Sequence, residues 1–286
     1  MKRISLLLFF FLLPSLAYAV GEIRVSPAKL EVIADPGEQL TPTISLDNLS
    51  DEASTVILTL ESVDPTETGV ETLGGVGADD PSYSFVSIPQ QKFTLAPNSR
   101  TNASLRIAPT KETPPGSHAL ALIITQIRAP EEGKETRVIS RVAVLVIITV
   151  TGELHPSAAL SGFNTSDQRR LYTTQVVPLS IRFKNRGNGY LNPYGIVSVH
   201  SLFGRLLSRH QIDPWYVLPN SERSREFRIT LPYVGIYRVT LEQNRGYQDI
   251  IDTSAISLIY LPRWLVVLTL LALAGAVFAM IKRSRA

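Results

Sequence analysis

The stretch VISRVAVLVIITV, residues 138–150, is dominated by Val, Ile and Thr and contains neither Gly nor Pro. β-Branched side chains crowd the turns of a helix and pack well on a pleated surface, so the stretch reads as one long strand. Upstream, residues 118–126 form another strand after the turn Pro114-Pro115-Gly116-Ser117. Residues 92–95 and 103–107 flank Pro97-Asn98-Ser99 and read as a hairpin. Residues 30–34, 40–46 and 55–60 add three strands. They are punctuated by Asp35-Pro36-Gly37-Glu38, where proline presets φ and glycine supplies φ > 0, and by the polar turn 47–51. Residues 64–80 are acidic and Gly-rich and form a long loop or a hairpin tip. Strands at roughly ten-residue spacing with Pro/Gly turns imply a β-sandwich that residues 138–150 close.

Downstream the pattern starts again. Residues 176–183, 196–202, 206–212, 226–231, 235–241 and 255–259 read as strands. The turn Asn185-Arg186-Gly187-Asn188-Gly189 is rich in residues that tolerate left-handed φ, and Phe203-Gly204 tips a hairpin. The halves echo each other. Ser45-Leu46-Asp47-Asn48 matches Ile181-Arg182-Phe183-Lys184-Asn185 as a strand ending on asparagine. Leu95-Ala96-Pro97-Asn98-Ser99 matches Leu218-Pro219-Asn220-Ser221, and each half then has a Gly-led strand, from Gly116 and from Gly235.

The ends read differently. Lys2 and Arg3, the apolar run 4–13, Pro14 and Ala17-Tyr18-Ala19 make residues 1–19 a signal peptide cleaved after Ala19. Residues 264–281 carry no charge; at about 1.5 Å per residue they reach about 27 Å, enough for a hydrocarbon core. Tyr260 and Trp264 stand at one interface, and Lys282, Arg283 and Arg285 follow the run. The expected fold class is therefore all-β: two tandem immunoglobulin-like β-sandwiches, 20–153 and 154–260, plus a C-terminal transmembrane helix, 261–281, and a basic cytoplasmic stub, 282–286. The expected localisation is the cell membrane, single-pass, with the N-terminal ectodomain outside.

The absence of cysteine excludes disulfides, thiolate metal sites and a cysteine nucleophile, and suggests a bacterial or archaeal product. Residues 20–153 hold 10 basic and 18 acidic residues; residues 154–263 hold 13 and 7. The basic total therefore gives no argument for nucleic acid.

FKNRGNGYLNPYGIVSVHSLFGRLL (183–207), VLPNSERSREFRI (217–229) and GIYRVTLEQNRG (235–246) resemble the membrane-proximal Ig-like domain of WxL-interacting proteins. The segment VSPAKLEVIADPGEQLTPTISLDNLSDEASTVILTL (25–60), with TPPGSHALALIITQ (113–126), resembles their N-terminal peptidoglycan-binding domain. The resemblance implies non-catalytic binding of peptidoglycan and of a secreted surface protein.

Chemistry-bearing motifs are sparse. His118, His155, His200 and His210 lack metal-ligand spacing, although His200 and His210 are expected to face across one hairpin. Glu67, Glu71, Asp79 and Asp80 lie in the acidic loop without EF-hand spacing. Arg223, Arg225 and Arg228 form a basic cluster that reads as a charged edge strand. Asn48, Asn102 and Asn164 head N-x-S/T sequons, and Gly275 and Ala279 have small-xxx-small spacing. There is no P-loop, GxGxxG or GxSxG. Accordingly no catalytic, cofactor-binding or metal residue is assigned, no cofactor is expected, and the chain is not read as an enzyme. The leading expectation is a membrane-anchored binding or scaffold protein at the cell wall. The alternative is a pilus-chaperone-like assembly factor acting through an open sheet edge.

Overall fold

The computed structural model describes residues 23–66, 68, 70–73, 84–127 and 139–284. The signal peptide expected at 1–19 lies outside the described residues, as do Glu67, Asp79 and Asp80 of the acidic loop.

The first unit contains β1 (Ile23–Ser26), β2 (Lys29–Ala34), β3 (Thr43–Asn48), β4 (Ser54–Pro65), β5 (Val70–Leu73), β6 (Val86–Ser87), β7 (Lys92–Leu95), β8 (Arg100–Ser104), β9 (Arg106–Ile107), β10 (Gly116–Ile127) and β11 (Ile139–Val150). One sheet has the order β1-β3-β8; the other runs β2-β11-β10-β4-β5, with β7 also on β4, and β6 pairs β9 separately. Alternation decides which side chains meet between the sheets. Ile44 and Leu46 from β3 pack with Val56 and Leu58 from β4, with Leu120, Leu122 and Ile124 from β10, and with Val144, Val146, Ile148 and Val150 from β11.

The second unit contains β12 (Ala158–Thr165), β13 (Leu171–Tyr172), β14 (Val176–Asn185), β15 (Tyr194–Ser201), β16 (Leu206–Ile212), β17 (Glu222–Thr230), β18 (Gly235–Asn244) and β19 (Ile251–Tyr260). Its sheets are β12-β14-β17 and β13-β19-β18-β15-β16. They enclose a separate core of Val177, Leu179, Ile181 and Phe183 against Val197, Val199, Tyr237, Val239, Leu241 and Leu258. At the start of β18 the buried Tyr237 hydroxyl donates to the carbonyl of Tyr233, and the Tyr233 N–H donates back to it at 3.2 Å.

Several sequence expectations change. The hairpin read from residues 92–95 and 103–107 does not form: β7 pairs with β4, whereas β8 pairs with β3 in the opposite sheet. The acidic segment is a hairpin at its base, with Ser62 opposite Leu73 and Asp64 opposite Glu71. The unforeseen strands β1, β6, β12 and β13 complete the sheets. In β12 the register shifts between Leu160 and Gly162, which breaks the alternation that would have marked it.

After Pro262, which lacks the N–H a helix interior needs, α1 (Arg263–Ser284) begins. It exposes Trp264, Leu268, Leu271 and Leu273. The expected transmembrane helix, membrane partner, single-pass localisation and cytoplasmic stub are corrected. Among the described residues no helix is long and apolar enough to cross a membrane. Physically, a span needs about 18 or more consecutive apolar side chains. Within the helix the apolar run includes Thr269 and Gly275. The helix also continues through positions assigned to the stub.

Candidate functional site

The strand read first from the sequence presents the most distinctive edge. Along one flank β11 pairs with β10 over its whole length, from Ile139 opposite Ile127 to Val150 opposite Gly116. Along the other flank β2 pairs in parallel only with residues 145–150. Among the described residues, positions 139–144 have no neighbour on that side. The register also fixes which amides are free. Leu145 N–H donates to Ala28 O at 3.2 Å and Thr151 N–H to Ala34 O at 3.0 Å. In a strand, N–H direction alternates, so the amides of Arg141 and Ala143 point to the open side while those of Val142 and Val144 face β10. Such an edge is a template for a further strand. The Arg141 guanidinium reaches over β10 to the Glu61 carboxylate of β4.

β2 runs from the open half of β11 toward the junction between the units. Lys29, the first residue of β2, lies 2.5 Å from Glu31 and 5.6 Å from the centroid of the Tyr216 ring. The other cation on that ring is Arg223, with its guanidinium carbon 3.9 Å from the centroid and Nη1 donating to Tyr216 O at 2.6 Å. Tyr190 stands beside them; burial pushes its phenol above the ordinary value, and the charge of Glu31 adds to the shift. Aromatic faces attract both cations.

Beneath this surface the turn 185–190 enters the first unit. The Asn188 side-chain amide donates to Pro115 O at 3.2 Å and Glu153 O at 3.0 Å, while Oδ1 accepts from His155 N–H at 2.8 Å. Its backbone carbonyl accepts from Ser117 N–H at 2.8 Å. Ser117 Oγ in turn accepts from Tyr190 N–H at 3.0 Å and lies 3.0 Å from Thr149 Oγ1. Gly116 permits the approach: with φ +134°, a Cβ built there would stand 2.5 Å from Asn188 O.

The residues singled out from the sequence do not converge. His200 is opposite Leu206, and His210 is opposite Val197, so the pair is staggered and does not face across the hairpin. His210 bonds Ser208 Oγ, His155 lies 3.7 Å from Glu153, and His118 meets the Phe85 ring edge-on at 5.4 Å. Among the described residues no three His, Cys, Asp or Glu side chains could hold a metal. β17 is an edge strand, but alternation splits its arginines: Arg223 and Arg225 share the face of buried Ile229, and Arg228 takes the other. Asn48 is buried, with its amide committed to Glu52 O and Ala96 O.

No family model and no curated protein matches the chain. Solved structures similar to it include the class 5 fimbriae chaperone CfaA, at 12% identity over 84% of this chain and 100% of that one, with a TM-score of 0.44. The CsuC–CsuE chaperone–tip subunit pre-assembly complex of Csu pili from Acinetobacter baumannii matches at 10% identity, over 84% and 99%, with a TM-score of 0.42. The Salmonella enterica SafA pilin in complex with the SafB chaperone matches at 12%, over 83% and 95%, with a TM-score of 0.39. At these identities and TM-scores the likeness assigns this chain no activity or partner. The resemblance to WxL-interacting proteins is corrected, since no family model matches and the structures named above are pilus chaperones and their complexes, not members of that family. The peptidoglycan, cell-wall and secreted surface-protein partners rested on it and are set aside. Their physical weakness is plain: Pro-Gly turns, buried turn asparagines and Gly-led strands are the common chemistry of β-sandwiches.

Proposed function

We propose that the chain is a non-catalytic assembly factor that holds a client segment by strand addition along the open half of β11, in the manner of a pilus chaperone. The single observation that carries this reading is the half-paired strand: β2 stops covering β11 at Leu145. We also read residues 20–153 and 154–260 as two Ig-like sandwiches; the separate cores and the Tyr237 corner support that division. A client strand running parallel to β11 in continuation of β2 ends against Lys29. That ammonium, on the Tyr216 ring, suits a terminal carboxylate. The scaffold reading has no comparable feature, because its wall ligand lost the resemblance that suggested it.

The test is hydrogen exchange of the full chain with and without a ten-residue alternating Val/Thr peptide. The amides of Arg141 and Ala143 exchange freely alone and become protected with peptide, whereas those of Val142 and Val144 are protected throughout. Ala143→Pro removes an outward N–H and leaves the β10 pairing intact, so peptide affinity falls by about tenfold or more while the fold persists. Val142→Pro strikes the β10 side and destabilises the first unit by about 3 kcal/mol. Unprotected amides at 141 and 143 under saturating peptide would sink the proposal.

A further inference from the structure

The turn 185–190 fills a corner where three pieces of backbone meet: the start of β10, the segment 152–157 joining the units, and the second unit itself. Both N–H donors of the Asn188 amide and its oxygen are used there, and each partner lies outside the second unit's sheets. A primary amide is the side chain that can bridge two carbonyls and one N–H at once. Aspartate lacks the donors, and alanine leaves Pro115 O, Glu153 O and His155 N–H without these partners. The surrounding backbone is fitted closely. A Cβ on Gly187 would stand 2.5 Å from His155 O, and one on Gly152 2.6 Å from Pro115 Cβ. Arg186 N–H bonds Ser157 O at 2.6 Å, so the same turn also pins the far end of the joining segment.

We propose that Asn188 is a positioning residue: it clasps the two units at one angle and so fixes Tyr190 and Tyr216 relative to Lys29 and the open edge of β11. The proposal builds on the strand-addition reading for its functional consequence, but the clasp itself stands on the contacts above. The clasp touches the base of the β10–β11 hairpin, through Ser117 and Thr149, and the open edge is the far half of the same hairpin. A change in the angle therefore moves the second unit's Tyr216 across the end of the client's line without altering the edge.

The chain has no cysteine, so Thr59→Cys and Thr253→Cys, one exposed position in each unit, carry two unique spin labels. Pulsed electron resonance on the full chain then reads the distance distribution between units. It is narrow in the labelled parent and broadens in Asn188→Ala and in Ser117→Ala, which cuts the neighbouring bond to Tyr190 N–H. If Asn188→Ala fails to fold, Ser117→Ala carries the test alone. The ten-residue Val/Thr peptide binds Asn188→Ala about fivefold more weakly, the factor expected when one hydrogen-bonded constraint on geometry is lost. An unchanged distance distribution in both variants overturns the clasp. A parent that does not bind the peptide, with distributions that still broaden, removes the strand-addition reading and leaves the clasp standing.

Discussion

Asn48 in the first unit and Asn185 in the second end equivalent strands and do the same work with the same atoms. Asn48 donates to Glu52 O at 2.7 Å and Ala96 O at 2.9 Å and accepts from Ser50 N–H. Asn185 donates to Gly189 O at 2.8 Å and Val217 O at 3.1 Å and accepts from Gly187 N–H. Each backbone N–H then bonds a serine carbonyl at 2.8 Å, Ser99 or Ser221, in a turn whose preceding asparagine has φ near +50°. Each of those serines closes its turn through Oγ at 2.7 Å, onto Ala96 O or Leu218 O. What differs is the residue before the asparagine. Asp47 lies between Arg24 and Arg100, whereas Lys184 pairs with Glu222 at 3.9 Å. The repeated part satisfies buried backbone, which any β-sandwich must do. The surface electrostatics around it took opposite signs.

The largest expected effect breaks the shared device. Asn185→Ala destabilises the second unit by about 3 kcal/mol, because it removes three bonds and strands the buried Gly187 N–H. Asn48→Ala costs about 2 kcal/mol, since its Glu52, Ala96 and Ser50 partners are only part-buried. Both tryptophans, Trp215 and Trp264, lie after residue 158, so fluorescence in urea follows the second unit's side of the chain and hydrogen exchange follows the first. Equal costs for the two variants, or a larger one at Asn48, would contradict the ranking. A smaller effect tests a feature of one unit alone: Tyr237→Phe loses the hydroxyl bonds to Tyr233 and costs about 1 kcal/mol in the same urea titration.

The device was legible because it is local. A strand ending on asparagine and a Leu-Pro-Asn-Ser turn are neighbours in sequence, and their spacing recurs. The false hairpin shows the limit. Residues 92–95 and 103–107 are joined by a good turn, yet Phe93 and Ala103 belong to opposite sheets, and only long-range pairing with β4 and β3 decides that. The same limit hid the candidate site. Residues 138–150 were plain as a strand, but the point where β2 stops covering it depends on residues more than a hundred positions away. The arginines of β17 were legible as an edge, while their division between two faces follows from a period-2 rule applied only after the strand's bounds are known. Asn188 gave a weaker signal still: in sequence it is one more turn asparagine, and its partners Pro115, Glu153 and His155 come from elsewhere.

The smallest effect is confined to acid and separates the two corners by charge. Asp47 sits opposite Arg24 on β1 and Arg100 on β8, so the three side chains form one row across the sheet. Arg100 donates to its carboxylate at 2.6 and 3.1 Å and Arg24 at 2.9 and 2.7 Å. The Arg100 bonds first, and those of Arg24 second, hold the carboxyl down at about 2, below its ordinary 3.8. A carboxyl whose folded pKa is depressed contributes stability that is fully present above its unfolded pKa and is lost as pH falls toward the folded one. The first unit should therefore lose stability between about pH 4 and about pH 2 through this residue. Asp47→Asn should flatten that limb of the curve and lower stability at pH 7. Lys184→Ala, its counterpart, should change the second unit by no more than about 0.5 kcal/mol, as exposed pairs do. The measurement is urea unfolding of parent and both variants from pH 7 to pH 2, read by unit-resolved exchange. An acid limb in the first unit that survives Asp47→Asn would place its sensitivity on another carboxylate and erase the electrostatic contrast between the corners.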